Sequence, residues 1–286
     1  MEVVLLNFLN GVSYGMVLFL IAAGLSLILG VMGVVNLAHG ALFVTGGFIG
    51  LTVAYRTGSF LLGILAGAAG SGVIGVLIER GVLRLLYKRD LQQVLVTFGF
   101  VYIITNLILW IWGPSPRAAF VPSYFSGSIP MAGLSIPAHR FAVILIGAVF
   151  CVILWWVQDK TRIGAIIRAG MDDSEMVSGL GINLTPVNTF CFLLGSFVAG
   201  AGAVIGVQLF GSVTFNDGLQ MLLIAIAVVV VGGVGKVQGA FVGAMLIGII
   251  DTYGRVYFPQ VAEYTMYMLL ILILMVRPSG LMGRKL

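Results

Sequence analysis

Residues 6–29 read LNFLNGVSYGMVLFLIAAGLSLIL, a run without one Asp, Glu, Lys or Arg. A helix of that length rises far enough to cross the roughly 30 Å hydrocarbon core of a bilayer. In lipid the backbone has no water to bond, so such a run is stable as a membrane helix with every backbone group satisfied internally. No basic residue precedes Arg56, so the stretch lacks the basic flank of a cleaved secretory signal and is expected to remain as the first transmembrane helix.

Eight further runs of this kind follow: Asn36 to Ala54, Phe60 to Leu83, Leu91 to Trp112, Phe141 to Val157, Val187 to Phe210, Leu219 to Val234, Val237 to Tyr253 and Tyr264 to Val276. Those from Leu219 and Tyr264 are short and read as tilted, re-entrant or half-helices; the pair around Gly232 to Gly235 reads as two helices or one broken unit. The expected fold is an all-α polytopic membrane protein of about 8 to 10 transmembrane helices, forming a single transmembrane domain over residues 1–286. Composition agrees: only 9% of residues are charged, against about 25% in a soluble domain, too few to cover a water-facing surface. Disorder is excluded on the same ground. Cys151 and Cys191 both lie inside apolar runs, as small buried hydrophobes and not a disulfide framework.

The net charge of +5 is a topology signal. Placing the loops after runs 1, 3, 5 and 7 and the C-terminus on one side gathers Arg80, Arg84, Lys88, Arg89, Lys160, Arg162, Arg168, Lys236, Arg277, Arg284 and Lys285 there, and leaves Arg56, Arg117, Arg140 and Arg255 opposite. The basic side is cytoplasmic, which puts Met1 and Glu2 outside. Bases spread over one membrane face do not form a nucleic-acid groove. The external stretch 113–140 holds five of the eight prolines and reads as a turn-rich cap over a cavity mouth or as a connector.

Residues 33–43 can be laid beside 235–241, each with a Gly and then Gly-Ala opening an apolar run. This is a weak two-half repeat; in transporters such glycine-broken junctions mark where unwound backbone meets substrate. Polar groups at membrane depth are costly and therefore informative. Asn36 and His39, three apart on one expected helix face, read either as an interhelical hydrogen bond or as lining of a translocation path, with Asn106, Gln208, Gln220 and Asp251 as further candidates. No spacing of His, Cys and carboxylates suits a metal, and no catalytic set is expected. Residues 232–237 imitate a phosphate loop, but Val237 stands where Ser or Thr is needed and Val230 where the first Gly belongs, so any ATP is hydrolysed by another chain.

In the cytoplasmic loop 159–186, Asp172 is placed to cap a short helix with Glu175 three residues on. That helix is expected to show Met176, Val177 and Leu180 on one side and to end near Gly179 and Gly181. A short apolar stripe of this kind fits a groove on a partner. The other reading, a helix lying on the bilayer, would set Asp172, Asp173 and Glu175 against anionic lipid.

Several stretches together resemble the LivH-like permease subunits of branched-chain amino acid ABC transporters. They are Gly24-Leu25-Ser26-Leu27-Ile28-Leu29-Gly30 with Asn36-Leu37-Ala38-His39-Gly40; Thr161-Arg162-Ile163-Gly164 with Arg168-Ala169 and Gly181-Ile182-Asn183; Val231-Gly232-Gly233-Val234-Gly235 with Gly239-Ala240; and Arg277-Pro278-Ser279-Gly280-Leu281-Met282-Gly283. The resemblance implies a multi-pass permease of the bacterial inner membrane that pairs with a second, LivM-like permease, two cytosolic ATP-binding subunits and a periplasmic substrate-binding protein. It implies no cofactor of its own, since ATP is bound by partners. The loop 172–181 then looks like a coupling helix seated on an ATPase. Such families also carry urea, short amides or aromatic acids. A self-sufficient secondary transporter or channel is the alternative; it would need buried acids for ion coupling, with Asp251 the fair candidate.

Overall fold

The computed structural model describes residues 2–87, 89–122, 127–131 and 134–283; Met1, Lys88, Arg284 and Lys285 lie outside the described residues. In chain order the helices are α1 (Glu2–Met32), α2 (His39–Thr57), α3 (Phe60–Gly81), α4 (Asp90–Trp112), α5 (Ala138–Lys160), α6 (Arg162–Asp172), α7 (Ser174–Gly179), α8 (Thr185–Phe210), α9 (Asp217–Gly232), α10 (Val237–Tyr257) and α11 (Ala262–Val276). Each of the nine apolar runs is one of these helices. Among the described residues α1, α3, α4, α5, α8 and α10 are long and apolar enough to cross a membrane, whereas α9 and α11 have 16 and 15 residues.

Glycine sets the packing of the inner helices. A β-carbon on Gly24 of α1 would lie 2.4 Å from the carbonyl oxygen of Gly195 on α8, and one on Gly67 of α3 would lie 2.5 Å from that of Gly46 on α2. Backbones this close gain dispersion contact that larger side chains would prevent. The buried core runs through α1, α2, α8, α9 and α10. By contrast α4, α5 and α11 turn large apolar side chains outward, among them Trp110, Ile111, Leu145, Trp156 and Met275, as lipid-facing helices must.

The chain ends and junctions sort onto two faces as the charges require. On one face Gly235 packs on Gly30 and Met171, Gln158 bonds both Gly235 and Val237, and Lys236 Nζ donates to the Met282 carbonyl oxygen. On the other, Trp112 Nε1 donates to Thr52 Oγ1 at 2.8 Å and the Tyr55 hydroxyl reaches the carbonyl oxygens of Ala118 and Ala119. Among the described residues of the stretch 113–140, β1 (Arg117–Ala118) pairs antiparallel with β4 (Ser212–Val213), and β2 (Ser128–Met131) pairs with β3 (Leu134–Pro137).

Two features differ from the sequence reading. First, Asn36 is not on a helix: α2 begins at His39, and Asn36 sits in the turn before it, its Oδ1 accepting from Ala38 N and its backbone oxygen accepting from His39 N, each at 3.1 Å. A short amide side chain satisfies local backbone better than it supports a helix interior. The turn begins at Gly33, whose φ of +72° only glycine adopts without strain. His39 lies beside Ile21, eleven residues and so roughly 16 Å before α1 ends, so residues 33–38 turn back into the bundle. Residues 211–216 do the same after α8 from the opposite face, and the two junctions meet where a β-carbon on Gly40 would come within 1.9 Å of the Gly218 carbonyl oxygen.

Second, α9 and α10 are two separate helices and not one broken unit. They pack as a hairpin in which a β-carbon on Gly232 would lie 2.0 Å from the Gly239 carbonyl oxygen. The tail closes over this turn: Leu281 N and Met282 N donate to the Val231 and Gly232 carbonyl oxygens at 2.8 and 3.0 Å, satisfying the C-terminal end of α9.

Candidate functional site

The corner between α5 and α8, on the face that carries Gln158, Gly235 and Lys236, is closely tied. Thr161 Oγ1 caps α6 by accepting from Gly164 N at 3.0 Å. Gly164 is obligatory there, since a β-carbon would lie 2.1 Å from the Gln158 carbonyl oxygen. Arg168 returns from α6 to donate to that same Gln158 oxygen and stands 3.5 Å from Asp159. Gln158, 2% exposed, accepts from Val237 N at 2.8 Å and donates to the Gly235 oxygen at 2.7 Å. One residue thereby joins α5 to the α9–α10 turn, where Ser26 of α1 also accepts from Gly235 N.

The N-cap of α7 is Asp173, not Asp172: Asp173 Oδ1 accepts from Glu175 N and Met176 N at 3.0 and 2.9 Å. Asp172 is instead the last residue of α6. An Asx cap bonds donors two and three residues on, and the break between α6 and α7 falls one residue later than the Asp172–Glu175 spacing indicates. The stripe also divides. Met176 and Leu180 are 60% and 72% exposed, while Val177 between them is buried, because it lies about 100° further round the helix. Gly181 follows in the left-handed region with φ +82°, and Asn183 Oδ1 accepts from Thr185 N to start α8. Behind α7 is a polar cavity of about 600 Å³, lined by Met32, Tyr87, Gln93, Ser178, Asn183 and Asn188 among others.

Glu79, which the sequence reading passed over, is fully buried on α3 beside this cavity. It accepts from Thr189 Oγ1 of α8 at 2.8 Å and from the Tyr87 hydroxyl. Burial first, and the Glu79 carboxylate second, push the Tyr87 phenol well above its ordinary range, so it remains a donor. The available signal was an acid inside an apolar run, residues 73–79 reading VIGVLIE.

Of the three residues expected along a translocation path, Asn36 and His39 share one turn and Gln208 is engaged elsewhere. Asn36 is buried with its Nδ2 unpartnered among the described residues. His39 is wholly buried, and its Nε2 donates to the Ile21 carbonyl oxygen at 3.0 Å, tying α2 to α1. Gln208 lies near the outer end of α8, where its Nε2 donates to the Phe120 oxygen at 2.9 Å and holds the external stretch down. Among the described residues no group of three His, Cys or acidic side chains could hold a metal.

Residues 7–277 match the family model described as branched-chain amino acid transport system / permease component. The chain is 28% identical over 289 residues to the high-affinity branched-chain amino acid transport system permease protein BraD of Pseudomonas aeruginosa, covering 96% of this chain and 94% of that one. It is 26% identical over 293 residues to the corresponding permease protein LivH of Escherichia coli K12, with the same coverage of 96% and 94%. With the ribose import permease protein RbsC of Haemophilus influenzae it shares 24% identity over 86% of this chain and 76% of the other. Its fold is that of a chain in the structure of PsaBC from Streptococcus pneumoniae in complex with Fab, with a TM-score of 0.51, 13% identity and coverage of 93% and 89%. Nearly the whole length, from the first membrane helix to Arg277, thus carries one pattern, and the chain belongs to the branched-chain amino acid transport system permease family as a multi-pass membrane permease and not an enzyme.

Proposed function

We propose that this chain is one permease subunit of an ATP-driven importer for branched-chain or related amino acids in a bacterial inner membrane. It works beside a second, LivM-like permease, with two cytosolic ATP-binding subunits and a periplasmic substrate-binding protein, and it binds no cofactor of its own. The observation that carries this reading is α7 with its C-cap: a six-residue helix on the basic face that, with Leu180 directly after it, presents Met176 and Leu180 to solvent. Its anchorage is firm, through Asp173 at its start and the Thr161–Gly164–Arg168 corner behind it. Two exposed anchors on a rigid mount suit an apolar groove of a partner, and Asp172, Glu175 and Gly181 frame the same surface. The names of BraD and LivH support the substrate class, and the name of RbsC makes a sugar the competing one.

Motion of the ATPase would reach the membrane through shared ties: α7 leads into α8, α8 holds Glu79 of α3 through Thr189, and Gln158 joins α5 to α10. Such coupling requires an element with two arrangements that the nucleotide biases. Met176→Glu with Leu180→Glu, introduced into the whole transporter, is expected to leave insertion intact and to lower ATP-dependent leucine uptake on the order of tenfold, as loss of docking anchors does. Uptake equal to wild type in proteoliposomes would remove α7 from the coupling path. Uptake by this chain alone under an ion gradient would replace the ATP-driven reading by a secondary transporter.

A further inference from the structure

Opposite the coupling corner, a cavity of about 440 Å³ opens between the outer ends of α1, α9 and α10. A neighbouring cavity of about 380 Å³ shares Tyr14, Gln220, Asp251 and Arg255 with it. Both lie within the size range of small-molecule sites, about 300–1,000 Å³. Asp251 is 6% exposed and holds Arg255, one turn on, by a 2.7 Å contact from Nε to Oδ2 and a 3.4 Å contact from Nη2 to Oδ1. The Arg255 side chain itself is 62% exposed. Asn7 Nδ2 and Asn10 Oδ1, a donor and an acceptor on α1, are buried on the same wall without a hydrogen-bond partner among the described residues. Arg140 of α5, Gln220 and Thr252 add further polar lining, and Phe210, Met221 and Ile224 supply an apolar wall.

A nearly buried acid on a membrane helix is expensive, and an ion pair within one helix turn stabilises by only a few tenths of a kcal/mol. Packing alone therefore gives little reason to keep the Asp251–Arg255 pair and two unsatisfied amides around one cavity. A ligand that brings one charge of each sign, amide-bonding groups and an aliphatic tail answers all of them. The guanidinium fork matches a carboxylate, the Asp251 carboxylate matches an ammonium, and the apolar wall takes the side chain. A sugar would meet the same groups through its hydroxyls but would bring no charge to match either of them.

Resting on the amino acid importer reading above, we propose that this outer cavity is a substrate subsite that receives an α-amino acid as its zwitterion, the ammonium at Asp251 and the carboxylate at Arg255. The test uses the transporter purified with its partner subunits and reconstituted in proteoliposomes, with Cys151→Ala and Cys191→Ala, and a single thiol introduced by Val256→Cys on the cavity wall. Leucine is expected to slow labelling of that thiol by an external, membrane-impermeant reagent severalfold. Ribose, 4-methylpentanoate and 3-methylbutylamine, which carry neither or only one of the charges, are expected not to. Asp251→Asn and, separately, Arg255→Gln at its exposed side chain are expected to abolish the protection. Leucine uptake by the parent transporter without protection, or protection that survives both substitutions, would overturn the subsite and leave the importer reading standing. Ribose uptake in place of leucine would overturn both.

Discussion

The two junctions that turn back into the bundle, residues 33–40 and 211–218, share a frame and differ in how they satisfy it. One reads GVVNLAHG and the other GSVTFNDG. Each opens on a glycine in the left-handed region, φ +72° and +81°, and each closes on the glycine where they touch. In each the seventh residue donates its backbone N–H to the carbonyl of the fourth, His39 to Asn36 and Asp217 to Thr214. The first junction is largely buried and uses neutral groups: the Asn36 amide and the His39 ring. The second is partly exposed and uses a carboxylate, Asp217 accepting from Thr214 N at 2.8 Å and from Thr214 Oγ1 at 2.6 Å. The same backbone turn is stabilised by an ionised group where water can solvate it, and by an amide where an unmatched charge would cost several kcal/mol.

That contrast can be broken at its centre or sharpened at its edges. The largest effect is expected at the point of contact: Gly40→Val places carbon against the Gly218 backbone, and no monodisperse protein should be recovered in detergent; a normal elution profile would show that the junctions do not meet. Next, Asn36→Asp puts a carboxylate in the buried junction and should destabilise by about 3 kcal/mol, read as a lowered thermal midpoint. Asp217→Asn in the other junction keeps the shape and loses a charge-assisted bond, with an expected cost of about 1 kcal/mol; equal losses for these two would erase the distinction between the junctions. Smallest, Gly33→Ala and Gly211→Ala each meet open space and incur only the left-handed backbone strain, about 1 kcal/mol apiece. A large difference between them would mean that the shared frame is superficial.

The helices were legible because lipid imposes a length and a polarity on every crossing, and both are written in the run from Leu6 to Leu29 as plainly as in that from Val187 to Phe210. The sorting of the junctions onto two faces followed from the bases for the same reason. What the sequence did not disclose were short-range choices of the backbone: that Asn36 would bond its own turn and not line a helix face, and that the cap of α7 would be Asp173. Spacing of three residues suits both a helix face and an Asx turn, so it cannot decide between them. Glu79 was visible as an acid in an apolar run, but of its partners Thr189 comes from a distant stretch and Tyr87 from the turn after α3, whose course the run does not reveal. Gln208 was noticed for its polarity, while its bond to Phe120 depends on where an irregular external stretch comes to rest.

The tail over the α9–α10 turn carries a consequence for biogenesis. The Val231 and Gly232 carbonyls are matched by amides about 50 residues further along the chain, which leave the ribosome only after α10 and α11 have been made. Until Leu281 and Met282 arrive, these two carbonyls must take their bonds from water or lipid headgroups, so the α9–α10 turn is completed by the last-made part of the described chain.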